Sequence, residues 1–272
     1  MADVSQEQFR EMTQAGRALW SSGDFNVIAR QTMMIADDLV RIADPRPGAR
    51  VLDIACGSGN IALIAARRYC TVAGIDIAAN LVETARRRAA AEGSDIDFRT
   101  GDAQNLAFED GTFDLVTSAF GIMFAPDQRR AASEALRVTR SGGRLVLANW
   151  MPEGFGRDFF GAHARHALPP EGAPSPLVWG TEAGVRDLLG DGVRELRFQR
   201  GTGYAFFRSL DHAISVFSTY FGPTIRALQV VGPEGTAGLK ADLAAAISAH
   251  DRASDGTIRM QTDYMLTIAT RA

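Results

Sequence analysis

From residue 50 to residue 150 the chain alternates between two hydrophobic rhythms. Short apolar runs rich in β-branched residues at 50–55, 71–76, 96–100, 113–119 and 143–150 predict strands. Between them, apolar positions three and four apart at 60–69, 78–91 and 127–139 predict helices, and Asp127, just after Pro126, is placed to cap the last of these. Strands that alternate with helices form a parallel sheet with crossover helices on its faces. Upstream, "NVIARQTMMIADDLVRIAD" (26–44) has the spacing of an amphipathic helix that stops at "PRPG". Beyond residue 150 the texture changes: 151–180 is rich in Pro and Gly and reads as loop with one short helix. A sixth strand is expected at 192–199, helices at 209–220, 224–230 and 233–249, and a seventh strand at 262–271. The expected fold is α/β, a doubly wound, seven-stranded, mostly parallel sheet with a helical insertion before the last strand. It forms one domain over 1–272: a helical cap at 1–44, a ligand-binding core at 45–150, and elaborations at 151–180 and 205–255 that would cap a substrate.

In open parallel sheets ligands bind beyond the carboxyl ends of the strands, where strand order reverses. The first strand ends in "LDIACGSGN", whose Gly57 and Gly59 permit a tight turn and close approach of backbone to a ligand. Gly57, Gly59 and Ala62 also satisfy G-x-G-x-x-A, a dinucleotide fingerprint, and Asp76 at the second strand's end suits a ribose in either case. Asp53 decides between them. A carboxylate beside a pyrophosphate costs on the order of several kcal/mol at low effective dielectric. Beside a ligand with an ammonium group and no phosphate, the same carboxylate attracts. The alternative is that Asp53 merely caps the turn, and that Asp76 only caps the next helix.

Composition narrows the function further. Hydrophobic content of 46% and charged content of 22% describe an ordinary globular chain with material for a substantial core. With a formal net charge of -3 and no basic tract, a nucleic-acid partner is not indicated. Lys240 is the sole lysine among 29 basic residues, which removes a Walker-type phosphate loop. Cys56 and Cys70 form no disulfide framework, and four scattered histidines make no metal case. The polar, acidic start is unlike a signal peptide, and no uncharged apolar run approaches the roughly 18 residues of a membrane span. A cytoplasmic location is expected; the oligomeric state is not legible.

Four stretches, "VLDIACGSGN" (51–60), "VAGIDIAANLVETARRRA" (72–89), "FRTGDAQNLAFEDGTFDLVTSAFGIMFAPD" (98–127) and "LRVTRSGGRLVLANW" (136–150), together resemble the class I S-adenosylmethionine (SAM)-dependent methyltransferases. The likeness is to the small-molecule branch that includes the ubiquinone/menaquinone-biosynthesis enzymes. Ala55 stands where many members have glycine. The resemblance implies SAM as cofactor, S-adenosylhomocysteine (SAH) as product and a small-molecule acceptor. It implies that Asp53 and the backbone of Ala55, Cys56, Gly57, Gly59 and Asn60 face the methionine portion. Asp76 would hold the ribose and Ile77 pack on adenine, with Asp102 and Ala103 on the adenine edge. Ser118 and Ala119 would lie under the sulfonium, and Trp20 would fold over the methionine end.

Methyl transfer from a sulfonium requires alignment and desolvation rather than a protein nucleophile or metal. A general base helps only when the acceptor holds its proton tightly; His163, His166, His212 and Tyr220 are the candidates, and each equally suits a structural role. Cys56 reads as small buried filler rather than nucleophile. Phe120, Met123 and Phe124 are either core or the wall of an acceptor pocket. A SAM-fold enzyme that uses the cofactor without moving its methyl, or an NAD-dependent oxidoreductase, is the alternative function.

Overall fold

The computed structural model describes residues 4–272. Seven strands, β1 (Arg50–Ile54), β2 (Thr71–Asp76), β3 (Ile96–Thr100), β4 (Phe113–Ala119), β5 (Thr139–Trp150), β6 (Val193–Phe207) and β7 (Ile258–Arg271), form one sheet in the order β3-β2-β1-β4-β5-β7-β6. The first five run parallel, and β7 lies antiparallel between β5 and β6. Order reverses between β1 and β4, so a crevice opens above their carboxyl ends. Consecutive residues of β1 (Val51, Leu52, Asp53, Ile54) are all buried, as a parallel strand covered on both faces requires.

The helices are α1 (Gln6–Trp20), α2 (Phe25–Ala29), α3 (Met33–Ala43), α4 (Asn60–Arg67), α5 (Ala79–Ala91), α6 (Gln128–Val138), α7 (Phe155–His166), α8 (Glu182–Leu189), α9 (Leu210–Tyr220) and α10 (Gly222–Ala249). One hydrophobic cluster fills the sheet and its flanking helices α3 to α6. A second, made by Phe155, Phe159, Phe217, Phe221, Leu239 and Leu243 with the near ends of β6 and β7, holds α7, α9 and α10 together as a cap. Asp127 caps α6 as its position predicts, accepting from Arg130 N at 2.9 Å.

The structure departs from the expected elements in several places: β5 begins at Thr139 rather than 143, β7 at Ile258 rather than 262, α8 (Glu182–Leu189) has no expected counterpart, and three further differences follow. The sixth strand does not stop at 199 but continues to Phe207, so residues 205–207 belong to the sheet and not to the insertion. "RGTG" has the look of a turn, but its glycines make room for neighbours. A Cβ on Gly201 would sit 2.2 Å from the Tyr264 ring, and one on Gly203 would sit 2.6 Å from Ile35. The helix expected at 26–44 breaks into α2 and α3 around a 3-10 turn at Arg30–Thr32. At that break the Ala29 carbonyl accepts from Thr32 Oγ1 (2.9 Å) and from the side chain of Asn60 (2.9 Å). The helices expected at 224–230 and 233–249 are one element with a non-helical residue at Gly232, whose φ is 63° and which precedes Pro233.

Candidate functional site

Above the carboxyl ends of β1, β2 and β4 lies an open cavity. Its floor is the loop after β1 (Ala55, Gly57), the end of β2 with Asp76 and Ile77, Asp102 to Gln104 after β3, and Ala119 to Gly121 after β4. Thr13, Gly16 and Trp20 of α1 close it from outside. The turn after β1 is tightly wound: Gly59 has a φ of 85°, and a Cβ there would lie 2.8 Å from the Phe98 ring. Ala55 holds the left-handed region too, at a φ of 53°.

Asp76 spans this turn. One carboxylate oxygen accepts from Gly57 N at 2.8 Å and the other from Ala78 N at 2.8 Å, and the group still lines the cavity. Burial, the largest influence, pushes its pKa up. Across the cavity the Asp102 carboxylate accepts from Gln104 N at 2.9 Å and from the Gln104 side-chain amide at 3.0 Å. Gln104 was not singled out from the sequence, yet it ties this corner together. Its amide also donates to Thr13 Oγ1 (3.0 Å) and its carbonyl oxygen accepts from Asp127 N (2.8 Å), which joins α1 to α6. Among the described residues, none of those lining the cavity is Arg, Lys or His. A pyrophosphate would therefore face Asp76 and Asp102 without a countercharge. An adenosyl ligand with hydroxyls, an amino group and a positive charge meets acceptors it can use.

Residues 52–147 match the family described as "Methyltransferase domain". An uncharacterised protein of Mycobacterium tuberculosis is 37% identical to this chain over 99% of it and 98% of its own length. A demethylmenaquinone methyltransferase of Thermus thermophilus is 40% identical over 42% of this chain and 52% of its own length. A putative methyltransferase structure from Bacillus halodurans, 21% identical, superposes with a TM-score of 0.58 over 86% of this chain and 97% of that one. Over residues 52–147 the chain carries a methyltransferase domain, and its fold is the Rossmann-like one of the methyltransferases. Its cofactor is S-adenosylmethionine.

Of the residues expected to meet that cofactor, the methyltransferase brings Trp20, Ala55, Gly57, Asp76, Ile77, Asp102, Ala103 and Ala119 to the cavity wall. Asp53, Cys56, Gly59, Asn60 and Ser118 are not among its lining residues. Each is engaged behind the wall. The Ser118 hydroxyl accepts from Ile122 N (3.1 Å), and the Asn60 side chain bridges Ala29 O and Arg88. The Cys56 thiol is buried, and desolvation holds its pKa well above the ordinary thiol value. It is packing, as the sequence suggests.

Asp53 is 1% exposed and accepts from Thr117 Oγ1 at 3.2 Å. Desolvation raises its pKa to about 7, against the lowering effects of Thr117 and the Ala62 backbone. A carboxyl whose native pKa lies above its unfolded value favours folding at low pH, and that contribution disappears as pH rises toward 7. A nearby cation reverses the penalty. Affinity for SAM is expected to rise by up to about tenfold between pH 6 and pH 8, with proton release on binding. Calorimetry in buffers of different ionisation enthalpy reads this directly, and Asp53→Asn is expected to flatten it.

A second cavity adjoins the first and shares Trp20, Phe25, Ala119, Phe120 and Phe124 with it. Phe120 has a φ of 58° and stacks on Trp150 with ring centroids 3.7 Å apart. Trp20 packs on Phe124 at 5.0 Å and on Phe25 at 5.6 Å. Phe155, Phe159, Phe160, Phe207, Phe217 and Phe221 from the cap complete an aromatic chamber. Met123 lies off both walls, fully buried in the sheet core.

None of His163, His166, His212 and Tyr220 lines either cavity. His163 Nδ1 lies 2.8 Å from Phe159 O and its Nε2 lies 2.8 Å from Thr224 Oγ1, so both ring nitrogens are occupied. Burial lowers its pKa. His166 pairs with Asp242 (2.9 Å), His250 with Asp158 (2.8 Å), and His212 Nδ1 accepts from Arg208 N (3.1 Å). Three of these histidines fasten α7 to α10.

Proposed function

We propose that this methyltransferase carries methyl from SAM to a small, partly apolar molecule by in-line attack. The observation that carries the reading is the shared wall: an acid-lined cavity on the sheet and an aromatic chamber in the cap meet at Trp20, Phe25, Ala119, Phe120 and Phe124. When bound, the cofactor supplies an electrophilic methyl carbon. On this reading Asp76 accepts from the ribose hydroxyls, and Ile77 and Leu81 cover one adenine face. Asp102 and the backbone at Ala103 meet the adenine edge, and the turn from Ala55 to Gly57 meets the methionine end. Asp53 acts from behind that turn through its charge. The shared aromatic wall excludes water and aligns the acceptor, which are the two effects a direct methyl transfer draws on.

Two measurements test this. SAH is expected to bind stoichiometrically in calorimetry, and NAD is not. Incubation with methyl-labelled SAM and a lipophilic small-molecule extract, followed by mass spectrometry, is expected to show label in an apolar product. Label found only in unreacted cofactor, while some extract component is transformed, would assign the protein to reactions that use the cofactor without moving its methyl.

A further inference from the structure

The aromatic chamber offers an acceptor very little polar chemistry. Among the described residues, its lining holds no titratable side chain. Its hydrogen-bonding members are Gln31, Thr32, Thr262 and the indole N–H groups of Trp20 and Trp150. Gln31 is committed: its amide donates to Phe206 O at 3.0 Å and its oxygen accepts from Phe206 N at 3.1 Å. The Thr32 hydroxyl donates to Ala29 O at 2.9 Å. Thr262 is different. It is 5% exposed, faces the chamber, and its hydroxyl has no hydrogen-bond partner among the described residues.

An acceptor in such a chamber finds no base to take its proton and no protein cation to hold the anion that results. An unpaired anion is costly to bury. The one positive charge that the proposed function brings to the shared wall is the cofactor's own. An anion paired with it is neutralised as the reaction proceeds, and a low-dielectric chamber favours that course. We propose that the acceptor is a flat, weakly acidic aromatic hydroxyl or thiol that sheds its proton to bulk water before reaction, and that Thr262 hydrogen-bonds a second polar atom on it. This rests on the proposed function and adds the chemical class of the substrate. In the step itself a lone pair of the anionic oxygen or sulfur forms a bond to the methyl carbon. The carbon–sulfur bond of the sulfonium breaks, its electron pair stays on sulfur, and two neutral products result. Alcohols are excluded because they keep their proton. Aliphatic amines, protonated at neutral pH, find neither a base nor a carboxylate partner in the chamber.

4-Nitrophenol, whose ionisation is visible in its absorbance, is the probe. Its ionisation is titrated on the enzyme saturated with SAH, neutral at sulfur, or with sinefungin, which carries an ammonium at that position. Its ionisation constant is expected to rise at least about tenfold with sinefungin relative to SAH, because the charge partner is the cofactor. With SAM, 4-nitrophenol and thiophenol are expected to be methylated at least about a hundredfold faster than benzyl alcohol, the scale of a missing general base. The pH midpoint is expected to follow each acceptor's own acidity. Thr262→Val, nearly isosteric, is expected to raise the KM for 4-nitrocatechol, which has a second polar atom, more than that for 4-nitrophenol. SAH affinity is expected to be unaffected. Comparable rates with benzyl alcohol, one pH midpoint common to all acceptors, identical ionisation in the two complexes, or failure of every probe to bind while SAH binds would overturn the proposal. Failure of SAH itself to bind would instead overturn the proposed function.

Discussion

Asp76→Ala is expected to weaken SAH binding by about 1–3 kcal/mol, roughly five- to a hundredfold, through loss of charged hydrogen bonds to the ribose. The loss has a second source in the empty protein. The same carboxylate accepts from Gly57 N and Ala78 N, so alanine leaves two N–H groups at the glycine turn without their partner. Each such orphan costs about 1–3 kcal/mol when water cannot replace the bond. Chemical denaturation and calorimetry on the same preparation separate the two effects, with a stability loss and an affinity loss both expected. A folded Asp76→Ala protein with wild-type affinity for SAH would remove the ribose assignment.

Gly121→Ala is expected to act from the opposite rim. A Cβ on Gly121 would lie 2.4 Å from Ala55 Cβ and 3.0 Å from Ala55 O, where ordinary contact is far longer. The two loops that floor the cofactor cavity must then separate, at a cost of about 1–3 kcal/mol in stability and with SAH affinity expected to fall more than tenfold. Ala55 carries the family's departure from glycine, and it does so at a φ of 53°. Ala55→Gly alone is therefore expected to stabilise the protein by about 0.5–1 kcal/mol through relief of the left-handed backbone. Combined with Gly121→Ala it removes the closest contact, so the double variant is expected to recover part of the loss. A coupling of about 0.5–3 kcal/mol in the double-mutant cycle is the signature, and strict additivity would show that the two loops do not press on one another.

Much of this arrangement is legible from residue spacing, and what is not has a common cause. The strands from β1 to β5, the carboxylates at the ends of β2 and β3 and the glycine turn are local patterns, and they stand where the hydrophobic rhythm puts them. The chamber is not local. Its walls come from α2, β4, β5, α7, α9 and the β6–β7 pair; the aromatic stretches at 120–124, 204–207 and 216–222 suggest an apolar pocket, but nothing in them says that Phe25 and Phe160 join it. Gln104 follows the same logic: its three partners lie on three different segments. Asp53 shows a subtler limit. The sequence places its carboxylate beside the ligand, whereas the fold buries it behind the turn, because depth below the strand end is not written in residue spacing. The histidines are the converse case. A protein this poor in them invites a catalytic reading, whereas the fold spends three on holding its cap together.

α1 has no buried residue, yet its Thr13, Gly16 and Trp20 line the acid-lined cavity. Trp20 anchors its C-terminal end on Phe25, Phe124 and Phe221, so opening of its exposed earlier turns costs less than global unfolding. On the proposed function, release of the spent nucleoside is expected to follow opening of this helix. Turnover in viscous media will slow in step with that opening wherever departure, rather than bond exchange, sets the pace.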